Sequence, residues 1–477
     1  MSSITYATLK TNIDCIQQIR NVRIVQRMNE HGRLSLTGIL KEDRKDDYIK
    51  KNLANEQIIL SFFGEQSKTL FQGMVKEVST EAKGGVYFIR ISALSNSCQM
   101  DQKKESRSFQ DKKMTYEAVM KDIIKKYSGG DLMDLATKGK ALGELIIQYE
   151  ETDWEFLMRL ASHFHAGILP SLTQDGPKIT IGTPKGTQGG KEACVSYEIV
   201  KHLEHHLKLV KNGANGLNEA DSMKYRLETD ADYDIGEQIN CQNTVLYVNS
   251  KEAFLSGGIL KFRYFLSSKA GFHKATTYNP SITGVSIKGK VLDIIKDKLK
   301  VQLEIDSSQN RSKAWKFSYA TPYTAEGHSG FYCMPERGDT VLIYFPTHKE
   351  SDGFGMNSIR KKNKDSDDFD DPDVKIFRTK NGKEIRFSPE EILITCSNGV
   401  DEITGEDQNI YIKLHQDNGI EIISSGPIKF NSRKKIRLEA EDAIELRASN
   451  EIRLTCKTSE ILIDDKIDIC GEDVKIN

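Results

Sequence analysis

What the chain lacks narrows its possible roles first. Across 477 residues, 68 Lys and Arg stand against 69 Asp and Glu, so neither sign of charge is in excess. A basic excess is what announces nucleic acid or an anionic membrane as a partner, and none is present. No apolar run approaches the roughly 20 residues of a membrane-spanning helix, and the opening MSSITYATLKTNIDCIQQIR has no basic start followed by an apolar core. Synthesis without a signal peptide, ending in the cytoplasm, is the expectation. Eight cysteines (Cys15, Cys98, Cys194, Cys241, Cys333, Cys396, Cys456, Cys470) occur singly, without the C-x-x-C pairing of zinc sites or the density of disulfide scaffolds. They are read as reduced thiols. Hydrophobic residues make up 38% and 35 glycines add to them, which is near the globular norm and excludes wholesale disorder.

A repeat occupies the C-terminal stretch. Ile420, Ile428, Ile436, Ile444 and Ile452 recur every eight residues, each followed two positions later by Ile422, Phe430, Leu438, Leu446 and Leu454. Side chains alternate across a strand, so an apolar pair at i and i+2 marks a short strand with one buried face. The residues between the pairs (Glu421, Lys429, Arg437, Glu445, Arg453) are all charged, as a solvated outer face requires. The pattern continues more loosely through Ile461/Ile463, Ile467/Ile469 and Val474/Ile476, with weaker forerunners at Ile385/Phe387, Ile392/Ile394 and Ile410/Ile412. Two inward residues in eight cannot build a core alone, since a single-chain solenoid needs some 20 or more residues per turn. Three interleaved copies can, because each strand then pairs with a neighbouring chain. The zone 376–477 is therefore expected to be an intertwined, homotrimeric triple-stranded β-helix. A flat meander of short strands is the plainer alternative.

Upstream, 351–375 reads as a charged linker, and the acids of KKNKDSDDFDDPD (361–373) lack the spacing of a calcium-binding EF-hand loop. Short alternating strands at 282–287, 289–295, 299–305 and 341–345 place a five-stranded OB-type barrel over 277–350. Residues 1–270 are α+β, with strands such as 57–63, 86–91 and 178–181 and helices near 115–128 and 152–166. The first helix lines up Val119, Met120, Ile123 and Ile124. The second opens on Thr152-Asp153-Trp154-Glu155, a capping box, and buries Phe156, Leu157, Leu160, Ala161 and Phe164. Overall the chain is mainly β, with an α+β N-terminal part.

Gln148-Tyr149-Glu150-Glu151-Thr152-Asp153-Trp154-Glu155-Phe156-Leu157-Met158-Arg159-Leu160 resembles the Q-Y-x-E-T-D-x-x-F-x-x-R-L signature of VgrG-family spikes and related phage hub–spike proteins of contractile injection systems. Three further segments agree in the same order. MPERGDTVLIYF (334–345) is similar to the P-x-x-G-D-x-V-x-V-x-F ending of the family's OB barrel, KIFRTKNGKEIRF (375–387) to its R-T-x-x-G-x-E-I-x-F neck, and the octads to its needle. The resemblance implies that 1–270 forms two hub barrels that trimerise on an inner tube, while barrel and needle project ahead. It implies a structural, non-enzymatic role joining tube and baseplate and piercing a target envelope. The implied partners are the inner tube protein, baseplate proteins and a PAAR-type tip protein or effector. No room is seen for the lysozyme or toxin domain that some relatives carry, and the particle is expected to be ejected into or onto a target cell.

Sharper readings of single motifs fall short. His163-Phe164-His165 and His202-Leu203-Glu204-His205-His206 lack a third ligand and do not match H-E-x-x-H, so they read as solvated or capping histidines and no metal or cofactor is expected. The stretch 182–191 resembles a phosphate loop, but Lys185 occupies its first glycine position and Glu192 follows its lysine. Trp315, Phe317, Tyr319 and Tyr323 near Arg311, Lys313 and Lys316 would suit single-stranded nucleic acid, yet a trimer contact explains the aromatics more simply. A trimeric tailspike that binds or degrades polysaccharide is the alternative function.

Overall fold

The computed structural model describes residues 4–44, 46–50, 56–63, 67–186, 197–212, 218–241, 244–323, 329–360, 371–396 and 410–463. The chain divides into two compact units, Met1–Lys361 and Lys362–Asn477.

The first unit has three cores. An eleven-stranded antiparallel sheet holds the largest. One strand shows the alternation clearly: Arg33–Leu40 buries Leu34, Leu36 and Leu40 and turns Arg33 and Ser35 outward. Strands up to Ser95 form one half and those of 197–267 the other. Ile16–Arg27 pairs with Thr244–Ser256 across the seam, Ile24 opposite Ala253. The resemblance implies two barrels here; the described residues form two halves of one continuous sheet. Cys241 lies in this sheet and is disulfide-bonded. The expectation that all eight cysteines are reduced fails there, and its partner is none of the described cysteines, which are free.

The second core joins two helices to a small sheet. Thr115 caps Tyr116–Ile124, its hydroxyl accepting from the Ala118 amide at 3.2 Å. Thr152 caps Asp153–Ser162 with the full capping box: its hydroxyl accepts from the Glu155 amide at 3.1 Å, and the Glu155 carboxylate accepts from the Thr152 amide at 2.9 Å. Both helices end earlier than their apolar periodicity suggests, at Ile124 and Ser162.

The third core is a closed barrel of Ser286–Ile295, Lys298–Leu303, Lys316–Tyr319, Phe354–Ile359 and Thr340–Tyr344, in that spatial order. Two of its strands depart from the sequence expectation. Where two strands at 282–287 and 289–295 are expected, a single strand Ser286–Ile295 runs, bent by a bulge between Val291 and Asp293, and Pro280–Ile282 is a short helical turn. Phe354–Ile359 lies inside the stretch read as linker, yet it closes the barrel by pairing with both Lys316–Tyr319 and Thr340–Tyr344. Its apolar alternation is too weak to read because Gly355 is its one fully buried position. A Cβ there would come within 3.2 Å of Leu299, so glycine is set by close approach and not by a turn.

In the second unit, Lys375–Arg378, Glu384–Phe387, Glu391–Thr395, Tyr411–His415 and Gly419–Ile423 form an antiparallel meander. Ile452–Cys456 and Ser459–Ile463 form a hairpin.

Candidate functional site: an exposed apolar ladder and a buried joint

The meander's register sorts its side chains onto two faces. Phe377, Ile385, Ile394, Ile412 and Ile422 stand opposite one another across five strands, and Phe387, Ile392, Leu414 and Ile420 form a second row two residues along. The other face carries most of the charged residues, around Ile376 and Leu393: Lys413 pairs with Glu391 at 3.1 Å and the Tyr411 hydroxyl donates to Glu421 at 2.9 Å. The apolar rows stay open in the single chain, with Ile420 71% and Phe387 48% exposed. Rows of this length left in water are uncommon on monomers and mark contact surfaces.

From 424 to 451 the same sequence pattern continues without any strand pairing. Ile428, Phe430, Ile436, Leu438, Ile444 and Leu446 are all exposed, Phe430 at 74%. The pattern of short strands is present, but no partner strand is found among the described residues. In the hairpin that follows, Ile452 faces Ile463 and Leu454 faces Ile461, so the octad residues again share one face. Ile467, Ile469, Val474 and Ile476 lie outside the described residues.

The neck segment explains itself locally. Gly382, at φ 74°, turns the Lys375–Arg378 strand back on Glu384–Phe387, and the Glu384 carboxylate, buried, is held by Arg378 and by Arg386 at 2.8 Å.

The Gln148–Leu160 signature builds a joint between the helical core and the barrel. In the strand Ile146–Thr152, Ile146 enters the helical core while its neighbour Ile147, with Leu145, enters the barrel core. Successive side chains point to opposite faces, so one strand is shared by two cores. Next to it, Arg159 is almost fully buried and donates twice to Glu151, at 2.8 and 2.9 Å, to Glu350 at 2.9 Å and to the Ile147 carbonyl at 2.7 Å. Glu350 sits in a short turn between two barrel strands. Burial alone would lower the Arg159 guanidinium, but the Glu350 and Glu151 carboxylates outweigh it and hold it above its ordinary value. Glu150 adopts φ 50°, beside a register slip between Glu105 and Arg107, and is exposed while Glu151 turns inward. Gln148, also buried, donates to the Glu151 carbonyl at 2.9 Å and to Asp153 at 3.0 Å. Asp153 in turn accepts from Tyr127 at 2.9 Å and pairs with Arg107. Asn279 ties the Tyr149 carbonyl to the barrel's entry at 2.6 Å, and Asp306 accepts from the Ser108 amide at 2.6 Å.

The candidate metal residues do other work. His163 is the C-terminal cap of its helix and is half-buried, its Nδ1 3.1 Å from the Tyr116 hydroxyl. Burial first, then the Arg159 charge, push it down to about 4, so it is neither solvated nor an open ligand. His202 occupies a helix N-cap without a side-chain bond. Among the described residues no cluster of three or more His, Cys, Asp or Glu could hold a metal ion, and no helix is long and apolar enough to cross a membrane. Sequence reasoning missed the Arg159–Glu350 pair. The signal was an arginine in the apolar stripe between Phe156, Leu157 and Leu160, since such a charge is rarely buried without a partner.

Comparison with known proteins follows the same lines. Residues 28–180 match the model of the phage tail baseplate hub family. The Escherichia coli c3393 protein, described as a component of the type VI secretion system with structural similarity to the T4 bacteriophage tail proteins gp27 and gp5, matches with a TM-score of 0.52 at 11% identity, over 74% of this chain and 99% of that one. A chain of the half-lidded Francisella PdpA–VgrG complex matches at 0.54 and 10% identity, over 88% and 87%. The lidded form of that complex gives 0.52 and 10%, over 87% and 79%. Among curated proteins no sequence matches. The fold is therefore that of the hub–spike class. The chain is mainly β with an α+β N-terminal part.

Proposed function

We propose that this chain is the homotrimeric spike of a contractile injection apparatus, whose first unit joins inner tube and baseplate and whose second unit is the piercing needle. The observation that carries this reading is the apolar ladder. Residues 420–446 carry strand-forming octads whose inward residues are exposed in one chain, and 424–451 have no strand partner among the described residues. Three copies would bury these rows against one another and pair every strand, which turns force along the needle into load on many hydrogen bonds at once. The ladder residues Ile420, Ile422, Ile428, Phe430, Ile436, Leu438, Ile444, Leu446, Ile452, Leu454, Ile461 and Ile463, with Ile467, Ile469, Val474 and Ile476 beyond them, form the needle core. A PAAR-type tip protein or an effector rides on the needle, and the chain itself carries no catalytic step. The particle leaves the producing cell and meets a target membrane only on puncture. Sedimentation equilibrium of the purified full chain tests the assembly: three times the chain mass is expected, and a monomer at micromolar concentration overturns the reading.

A further inference from the structure

A cleft of about 950 Å³ lies in the first unit, between the loop 110–114 that precedes the first helix and the barrel segments 298–300 and 312–316. Six lysines line it: Lys112, Lys113, Lys298, Lys300, Lys313 and Lys316. The one carboxylate in its wall, Asp111, is bound to Lys313 at 3.1 Å, and the Lys113 amide first, then the Lys313 ammonium, hold its pKa below the ordinary value. Lys112, Lys113, Lys298 and Lys316 form no ion pair among the described residues. In a chain whose overall charge balances, this is a strongly one-signed concavity.

The floor of the cleft is built rather than accidental. Lys300, 8% exposed, sits on a barrel strand and donates to the Arg311 and Ser312 carbonyls at 2.9 and 3.1 Å, which leaves one of its three donors open. Gln110, also buried, accepts from the Trp315 amide at 3.0 Å and donates to the Val301 carbonyl at 3.2 Å. These bonds fix the two walls, so a ligand need not order them.

We propose that this cleft docks an acidic peptide segment of a partner protein, with carboxylates on the lysines and an apolar side chain against Trp315 and Met114. Charge complementarity selects the sign of the ligand. The aromatic content selects peptide over single-stranded nucleic acid: a strand-binding groove offers successive aromatic platforms, whereas here the single aromatic, Trp315, is already half-buried against the barrel core. This inference is argued from the cleft of the single chain.

The test uses the full chain and three fluorescent probes: a ten-residue Asp/Glu peptide with one central Phe, its Asn/Gln counterpart, and a ten-nucleotide oligothymidylate. The acidic peptide is expected to bind, and its affinity to fall steeply between about 0.1 M and about 1 M salt as the screening length shortens from roughly 10 Å to roughly 3 Å. Lys112→Glu/Lys113→Glu/Lys298→Glu/Lys316→Glu should weaken binding about tenfold or more, the product of exposed ion pairs each contributing roughly a factor of two to five. The matching variant Lys83→Glu/Lys269→Glu/Lys288→Glu/Lys290→Glu, on exposed lysines elsewhere, should bind as the unsubstituted chain does. Lys→Gln at the four cleft positions provides a milder variant if the charge reversal does not fold. Equal binding by cleft and control variants, no binding of the acidic peptide, or tighter binding of oligothymidylate than of the peptide would each overturn the proposal.

Discussion

The two units of this chain use the same alphabet to opposite effect. In the barrel, strands with apolar residues at i and i+2 bury them almost completely: Ile287 is 3% and Val341 0% exposed. In the second unit the same pairs stand in water, with Ile420 71% and Leu438 71% exposed. The strand code does not differ. What differs is where the opposing surface comes from. The barrel closes on itself and the first unit supplies its own helices and sheet, whereas the meander and the octads leave one face and a run of backbone without a partner among the described residues. A sequence whose local rules are satisfied while its burial is not fits the proposed assembly of several copies.

The comparison can be broken most severely at the octads. Ile444→Asp would place three carboxylates beside one axis in the proposed trimer, and burying an uncompensated charge is prohibitive. We expect loss of the trimer by light scattering while the first unit keeps its own thermal transition. A trimer that survives this change removes the inward assignment. In the first unit the largest effect should come from the joint. Arg159→Ala strands Glu151 and Glu350 in a buried site, and breaking one side of a buried pair costs about 3–5 kcal/mol. Calorimetry should show the first unit melting well below the unsubstituted chain with the oligomeric state unchanged.

Acid should also separate the units. His163 is held neutral in the fold, with its pKa pushed down to about 4, while in the unfolded chain it takes a proton near its ordinary 6.5. The unfolded state therefore binds more protons in this window, and the stability contributed is full above pH 6.5 and is lost as pH falls toward 4. The loss should be on the order of 3 kcal/mol for the first unit, since each tenfold fall in proton affinity is worth about 1.4 kcal/mol. Urea titrations at pH 7 and pH 4.5 measure it, and His163→Gln should flatten the difference. A pH profile unchanged by that substitution would show that another group carries it. The smallest effect should come from the charged residue beside Ile444. Glu445→Ala removes an exposed partner of Arg447, worth less than about 0.5 kcal/mol, and should leave assembly intact. If Glu445→Ala and Ile444→Asp act alike, the alternation of inner and outer faces is wrong.

Periodicity made the architecture legible where burial followed it. The capping box at Thr152 and the helix stripes are signals of regular spacing, and each has a direct counterpart in the structure. The first and last octad pairs, Ile420/Ile422 and Ile452/Leu454, fall on strands, while those between them have none in the single chain. The fifth barrel strand was not legible because FGMNSI (354–359) carries almost no alternation, and it was misread as part of a linker that shares its polar character. The disulfide at Cys241 was hidden by the single spacing of the cysteines, since sequence separation does not report which strands become neighbours. Within the joint, the signature residues were visible but their roles were not. Glu151, Arg159 and Glu350 are 191 residues apart at their furthest link, and that contact is made by folding and not by any local pattern.

The account rests on the claim that strands left unpaired within one chain are paired between chains. Hydrogen–deuterium exchange of the full assembly reads this directly at the amides of 424–451. Exchange there as slow as in the barrel strands Ser286–Ile295 and Thr340–Tyr344 is the predicted result. Exchange within seconds, at the rate of an open chain, would contradict it.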